Sequence, residues 1–301
     1  MMNDFHTPVL LAESLNGLNV KPNGVYVDAT FGGGGHSSAI MDKLIDGYLI
    51  VFDQDQAAVE NTIKSDLRFK MICDNFRNLK EQLSLINIFK IDGLIADLGV
   101  SSYQFTDNKR GFSIKYDANI DMRMDETIKK DGVFVLNNYN RENLTRILKD
   151  HSDFKSPKFI VDSIIKHREK KTIRTTFDLK NIFINRVPKA QENKFFARLF
   201  QAVRIEVNDE INALKDLLSQ SLQLLRPQGR LVIISYHSVE DKIVKSFMKF
   251  GNFSNTLKTD FFGNQKRPFK LIAKKPIAPS LLEIKANNKS RSAKLRICEK
   301  I

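Results

Sequence analysis

The residues best equipped for chemistry gather around four glycines. Gly32 to Gly35 sit in the string AspAlaThrPheGlyGlyGlyGlyHisSer, Asp28 to Ser37, between an apolar run that reads as a strand and a stretch that reads as a helix. Without Cβ atoms, backbone at such a junction can approach a ligand closely and adopt positive φ. Asp53 closes the next apolar run, near the ~20-residue spacing at which an acid accepts hydrogen bonds from ribose hydroxyls. Asp74 and Asp97 close two further runs, so with Asp28 four acids fall at the carboxyl ends of successive expected strands. A dinucleotide site asks for Gly-x-Gly-x-x-Gly with its diphosphate on a helix N-terminus, but Ser37 stands where the third glycine belongs. S-Adenosylmethionine has no phosphate and carries a sulfonium cation, and a row of carboxylates suits it better. His237 and Ser238 follow a later expected strand, where a neutral imidazole could take a proton or bond to a base.

The elements that must hold these residues read as an interrupted α/β pattern. Strands are expected at Val25 to Asp28, Tyr48 to Phe52, Phe69 to Cys73 and Ile91 to Ala96, with helices from Ser37 and from about Gln56 to Ser65. From Leu98 to about Tyr139 neither helical nor strand period is evident, and a loop that long inside a compact domain is usually functional or disordered. Varied composition favours a functional one. Helical signatures follow: AsnLeuThrArgIleLeuLys; a helix with Ser156 as N-cap and Pro157 in its first position; and a helix capped by Thr176. Ile211, Leu214, Leu217, Leu218, Leu222 and Leu225 then keep helical spacing, the turn ArgProGlnGly follows, and a strand is expected at Arg230 to Ser235. The fold expected is a Rossmann-like α/β sheet with an inserted helical domain. Residues 1–105 and 209–301 form the sheet domain and 106–208 the insert.

Composition bounds the class. The chain has 301 residues, 42% hydrophobic and 28% charged, which excludes a largely disordered or fibrous protein. Cys73 and Cys298 make neither a disulfide framework nor a zinc cluster, no metal site is expected, and the N-terminus lacks a secretory pattern. The apolar runs fall far short of the ~20 residues that a membrane span needs, so a cytoplasmic location without membrane attachment is expected. Formal charge is +13, and Asp241 to Ile301 alone holds 15 Lys and Arg against 4 acids, a net +11. A positive field localised in this way attracts a polyanion, and RNA or DNA is the natural one.

Several strings, in order along nearly the whole chain, resemble the bacterial 16S ribosomal RNA cytosine-N4 methyltransferases called RsmH or MraW. They are HisThrProValLeuLeuAlaGlu at His6 to Glu13, ThrPheGlyGlyGlyGlyHisSer at Thr30 to Ser37, AspLeuGlyValSerSer at Asp97 to Ser102, ArgGlyPheSer at Arg110 to Ser113 and AspMetArgMetAsp at Asp121 to Asp125. PheGlnAlaValArgIleGluValAsnAspGlu at Phe200 to Glu210, SerTyrHisSerValGluAspLysIleValLys at Ser235 to Lys245 and ArgSerAlaLysLeuArg at Arg291 to Arg296 complete the set. Departures exist: Gly33 stands where the family usually has Arg, Tyr103, Gln104 and Phe105 replace ProGlnLeu, and Asn287, Asn288 and Lys289 replace AsnProArg. Lys lacks the bidentate fork of Arg, so details of RNA contact are affected first.

The resemblance implies an S-adenosylmethionine-dependent enzyme that methylates N4 of a cytosine in 16S ribosomal RNA near the decoding centre, with a helical insert that helps recognise RNA. It implies cofactor contacts at Gly34, Gly35, His36, Asp53, Phe76, Asp97 and Gln104. Asp97 and His237 are the candidate catalytic groups. Arg110, Arg123, Arg204, Lys242, Arg291, Lys294 and Arg296 lie within the matching strings and are candidate RNA contacts. The partner expected is 16S RNA within the small subunit or a precursor, and a homodimer stays open. Two alternatives stand beside this reading: a DNA amino-methyltransferase, disfavoured because AspLeuGlyValSerSer replaces the Asp/Asn-Pro-Pro-Tyr/Phe signature, and a non-catalytic RNA-binding ribosome-assembly factor.

Overall fold

The computed structural model describes residues 8–59, 66–101, 104, 109–259 and 265–301. Part of the helix expected from Gln56 to Ser65 and part of the loop after Leu98 lie outside the described residues; Gln56–Val59 is helical. The chain separates into two compact units, one from Met1–Gly99 with Asn212–Ile301 and the other Val100–Ile211.

The first unit is built on a seven-stranded sheet: β1 (Val25–Asp28), β2 (Tyr48–Asp53), β3 (Phe69–Cys73), β4 (Ile91–Asp97), β5 (Leu225–Ser235), β6 (Phe269–Leu271) and β7 (Lys294–Lys300). The spatial order is β3-β2-β1-β4-β5-β7-β6, parallel from β3 to β5 and antiparallel where β7 joins β5 and β6. Parallel strands buried on both faces explain the near-continuous apolar runs LeuIleValPhe in β2 and LeuValIleIle in β5. One face packs Val27, Ile50, Phe52, Leu94, Leu231 and Ile233 against Leu214, Leu217, Val244 and Phe247 from the helices Glu210–Leu224 and Ser238–Phe250. The other buries Tyr26, Leu49, Val51, Ile95 and Val232 with Leu18 and Ile40 from the helices Leu11–Leu18 and Gly35–Met41. Chain order reverses between β1 and β4, and the crevice outside the carboxyl ends of strands at such a switch is where open α/β sheets bind ligands.

The second unit is helical, with Gly132–Asn138, Arg141–Asp150, Lys158–Arg168, Thr176–Phe183 and Lys189–Asn208 around a core that includes Val135, Ile147, Val161, Phe183, Phe196 and Leu199. Two helix starts differ from expectation by one residue. Pro157, rather than Ser156, is the N-cap of Lys158–Arg168, and Thr175, rather than Thr176, caps Thr176–Phe183. Thr175 wins because it forms a capping box with Asp178, whereas Thr176 is buried and donates its hydroxyl to the Tyr116 carbonyl. The segment without evident period contains the helix Gly132–Asn138 and is otherwise held by an isolated backbone bridge between Asn119 and Thr175 and by side-chain bonds. Buried Asn208 donates Nδ2 to the Met122 carbonyl at 2.7 Å and accepts the Met124 N–H at 2.7 Å, and Phe112, Ile120, Met122 and Met124 join the core. The ArgProGlnGly stretch does not end an element. It lies inside β5, where pairing jumps from Ile91 with Leu225 to Gly93 with Arg230. No helix among the described residues is long and apolar enough to cross a membrane.

Candidate active site

Register places three acids together. Asp28 pairs with Val51 on β2 and with Ile95 on β4, while Asp53 and Asp97 stand two residues further along those strands. A two-residue step keeps side chains on one face, so all three carboxyl groups project to the same side at the switch crevice. Asp53 adds repulsion to Asp28, and Asp28 to Asp97, as grouped carboxylates must.

The glycine loop wraps around this row. Ala29 N–H donates to the Ile95 carbonyl and Phe31 N–H to the Phe52 carbonyl, each at 2.9 Å, which ties the chain leaving β1 to both neighbouring strands. Asp53 then accepts the Gly32 N–H at 2.8 Å and the Asp55 N–H at 2.9 Å. Asp28 accepts the Ser37 hydroxyl at 2.6 Å and the Thr30 N–H at 3.1 Å. Gly34, the N-cap of Gly35–Met41, has φ +76°, and a Cβ there would meet the Phe31 ring at 2.9 Å. A Cβ on Gly35 would stand 2.2 Å from Pro8, whereas one on Gly33 would meet nothing within 4 Å. Glycine is thus required at two of the three positions for steric reasons.

Burial dominates the electrostatics. It raises Asp28 and Asp97 to about 7 and Asp53 to about 6, against the hydrogen bonds that hold each down. Among the described residues none of the three is ion-paired with a Lys or Arg. The three acids have ionised forms disfavoured by burial and no cationic partner there, and a cationic ligand would stabilise those ionised forms.

Asp97 is held from two directions. Its N–H donates to Thr30 Oγ1 at 2.7 Å, and its Oδ1 accepts the Tyr236 hydroxyl at 2.8 Å. Burial, then the neighbouring Asp97 charge, pushes the Tyr236 phenol far above its ordinary range, so it remains a donor. Tyr236 N–H in turn donates to Glu240 Oε2 at 3.0 Å. His237 is the N-cap of Ser238–Phe250: its Nδ1 accepts the Glu240 N–H at 3.3 Å, and its Nε2 lies 3.1 Å from Glu240 Oε1 without hydrogen-bond alignment. Both ring nitrogens thus face the first turn of their own helix.

The remaining predicted residues occupy diverse places. His36 is buried with Nε2 3.1 Å from the Val9 carbonyl, bracing the loop against the N-terminal segment. Phe76 opens the 3-10 turn Phe76–Asn78, half-buried against the sheet core. Gln104 is buried in the second unit, where its Oε1 accepts the Ser101 N–H at 3.1 Å and its own N–H donates to Ser101 Oγ. Asp74 stands apart from the acid row, since its carboxylate accepts from Asn75, Asn78 and Gln82. Tyr236 and Thr30 were not singled out by sequence reasoning, whereas Glu240 was expected there as one of two possible partners of His237, beside Asp241. Tyr236 and Glu240 flank His237 within one of the matching strings, and Thr30 opens another.

Most of the candidate RNA-contact cations have internal partners. Buried Arg110 donates to the Arg123 and Met124 carbonyls. Arg123 forms a fork with Asp121 at 2.7 and 2.8 Å, and Arg204 one with Glu210 at 2.8 and 3.0 Å. Arg296 and Lys294 share Asp241 at 2.6 and 3.2 Å. Arg291 and Lys242 are exposed. Arginines inside a matching string look alike in sequence whether they hold a loop or a phosphate: Arg123 and Arg204 pair with acids of their own strings, whereas Arg296 pairs with Asp241, 55 residues away.

A model of the MraW methylase family matches residues 3–301. Ribosomal RNA small subunit methyltransferase H of Karelsulcia muelleri is 48% identical over 300 residues, covering 99% of both chains. The enzyme of the same name from Cytophaga hutchinsonii is 46% identical over 299 residues, with 98% of this chain and 99% of that one covered, and the one from Flavobacterium johnsoniae is 46% identical over 299, with 99% and 98% covered. With the glycine loop, the acid row and the switch crevice in one unit and matching relatives along its full length, the chain belongs to the MraW methylase family.

Proposed function

We propose that this protein is an S-adenosylmethionine-dependent methyltransferase acting on N4 of a cytosine in small-subunit ribosomal RNA, near the decoding centre. The observation that carries the reading is the row of Asp28, Asp53 and Asp97 on one face of the sheet, Asp28 buried and the other two half-buried, without a cationic partner among the described residues. That row fits a cationic nucleoside. Gly34 and Gly35 hold backbone where a side chain would clash, and Asp53 anchors the loop while retaining acceptor capacity for ribose hydroxyls. Phe76, three residues past β3, is assigned to flank the adenine. When bound, the cofactor supplies an electrophilic methyl group and the positive charge the cluster lacks.

The protein's own task is to make a poor nucleophile react. A cytosine amine has its lone pair delocalised into the ring, so it must be oriented and its N–H bonds polarised. Asp97 is the residue for this: among the described residues its carboxylate accepts only the Tyr236 hydroxyl, and burial raises it to about 7, where a carboxyl exchanges protons effectively at neutral pH. Tyr236 and, through Glu240, His237 fix its direction. Lifting a base out of structured RNA costs a few kcal/mol, which favours an RNA particle over a free nucleotide as substrate. The helical unit and the basic segment Asp241 to Ile301 are assigned to RNA binding.

The test is mass mapping of small-subunit RNA from cells lacking the protein, complemented with wild type or Asp97→Asn. Loss of one cytosine methylation, restored by wild type but not by the variant, is expected. Unchanged methylation in the deletion strain would remove the proposal. Calorimetry that detects no S-adenosylmethionine binding to the folded protein would favour the assembly-factor alternative.

A further inference from the structure

The helical unit holds a concave site that the candidate residues above do not touch. A cavity of about 370 Å³ opens between the end of Lys158–Arg168 and the end of Thr176–Phe183. Lys166, Lys170 and Arg186 line it, together with His167, Asn181 and Asn185, and among the described residues no acidic side chain contributes to the wall. None of the three cations is ion-paired with a carboxylate among the described residues, in contrast to Arg123, Arg204 and Arg296. Ser163 orients one of them: its Oγ donates to the Phe159 carbonyl and accepts from Arg186 Nη1 at 3.2 Å, which links the guanidinium to the facing helix. His167 Nε2 is buried and has no hydrogen-bond partner among the described residues.

Cations near a helix C-terminus complement its dipole, and one lysine there would need no other explanation. Here two helix ends send three cations to one cavity without a counter-charge, and an imidazole nitrogen is left unsatisfied. Burying a polar atom without a partner costs ~1–3 kcal/mol, so such atoms in native proteins usually mark a missing ligand or water. The size falls within the range of small-ligand sites, and the donor set is that of a phosphate site with amides able to read an adjoining sugar or base.

We propose that this cavity is a second RNA contact, taking a phosphodiester of the substrate strand. The assignment rests on the reading above that RNA is the substrate. It is a binding site rather than a catalytic one, and it moves RNA recognition from the internally paired arginines to Lys166, Lys170 and Arg186.

The test compares the full-length wild type with Lys166→Ala/Lys170→Ala and with the charge-conserving Lys166→Arg/Lys170→Arg. Both lysines are exposed, and thermal melts check that folding is retained. The alanine pair is expected to raise KM for small-subunit RNA about tenfold, with kcat and S-adenosylmethionine affinity unchanged. It should also flatten the slope of log affinity against log salt by about 1 per lysine, with the arginine pair close to wild type. An alanine pair with wild-type KM and salt slope overturns the proposal. So does inorganic phosphate binding that depends on the lysines while RNA binding does not, because the pocket would then serve a free anion. RNA binding is read by anisotropy, independently of turnover. Wild type that binds RNA through these lysines yet methylates none would therefore sink the proposed reaction and leave the pocket standing.

Discussion

Asp97 and Tyr236 show how a single hydroxyl can set the behaviour of a buried acid. The Tyr236 hydrogen bond lowers the Asp97 pKa, while burial raises it further in the opposite sense to about 7. Tyr236→Phe removes only the lowering influence. The acidic limb of the kcat profile should move to higher pH, kcat at pH 7 should drop about tenfold, and an unmoved limb in a stopped-time assay would refute the coupling. The three acids also couple stability to pH. Each has a folded-state pKa above its unfolded value near ~3.9, so the native state binds more protons between about pH 4 and 7 and stability declines as pH rises through that window. Glu206, held down to about 2 by His151, Tyr139 and Arg146 against its burial, acts the other way only below about pH 5. From pH 5 to 7 the ligand-free protein should therefore lose melting temperature, and the increment given by S-adenosylmethionine should grow. A flat increment in scanning calorimetry would mean that the acids do not face the cation.

At the scale of the element, the turn from β1 into Gly35–Met41 is the part that tolerates least. Alanine at Gly34 must adopt φ +76° and displace the Phe31 ring, and alanine at Gly35 must displace Pro8. Left-handed backbone costs ~1–2 kcal/mol for a residue with a Cβ, before any clash. Gly34→Ala and Gly35→Ala are expected to lower the melting temperature by several degrees and to weaken cofactor binding more than tenfold. Gly33→Ala should stay within about 0.5 kcal/mol of wild type in denaturant titration, since open space surrounds its Cβ. That position is also the one where this chain departs from the Arg usual in the resembling family, and the structure explains why the loop admits either residue: the side chain points into space that no packed group occupies.

Across the whole molecule, positive charge divides into cations that hold the fold and cations that remain available to an anion. Arg204→Ala should cost stability, because it leaves Glu210 half-buried without its fork, yet should not alter the salt slope of RNA affinity. Arg291→Ala should do the reverse, flattening the slope by about 1 with little change in melting temperature; equal slopes for the two variants would dissolve the distinction. The amino-acid sequence by itself determined the alternation of strands and helices, the glycine turn, the acids at the strand ends and the interrupting helical stretch. All are written in local periodicity and in strings a few residues long, which need no knowledge of distant neighbours. Only tertiary structure decided which acids share a face, that Asp74 caps its own turn, that Tyr236 holds Asp97, that His237 looks back at Glu240, and which arginines are already taken. The Tyr236 contact with Asp97 and the Arg296 pair with Asp241 join residues 139 and 55 apart, and the shared face of the acids depends on strand register; the short-range partners of Asp74, His237, Arg123 and Arg204 were chosen among several nearby groups by distance in space, which separation along the chain does not fix.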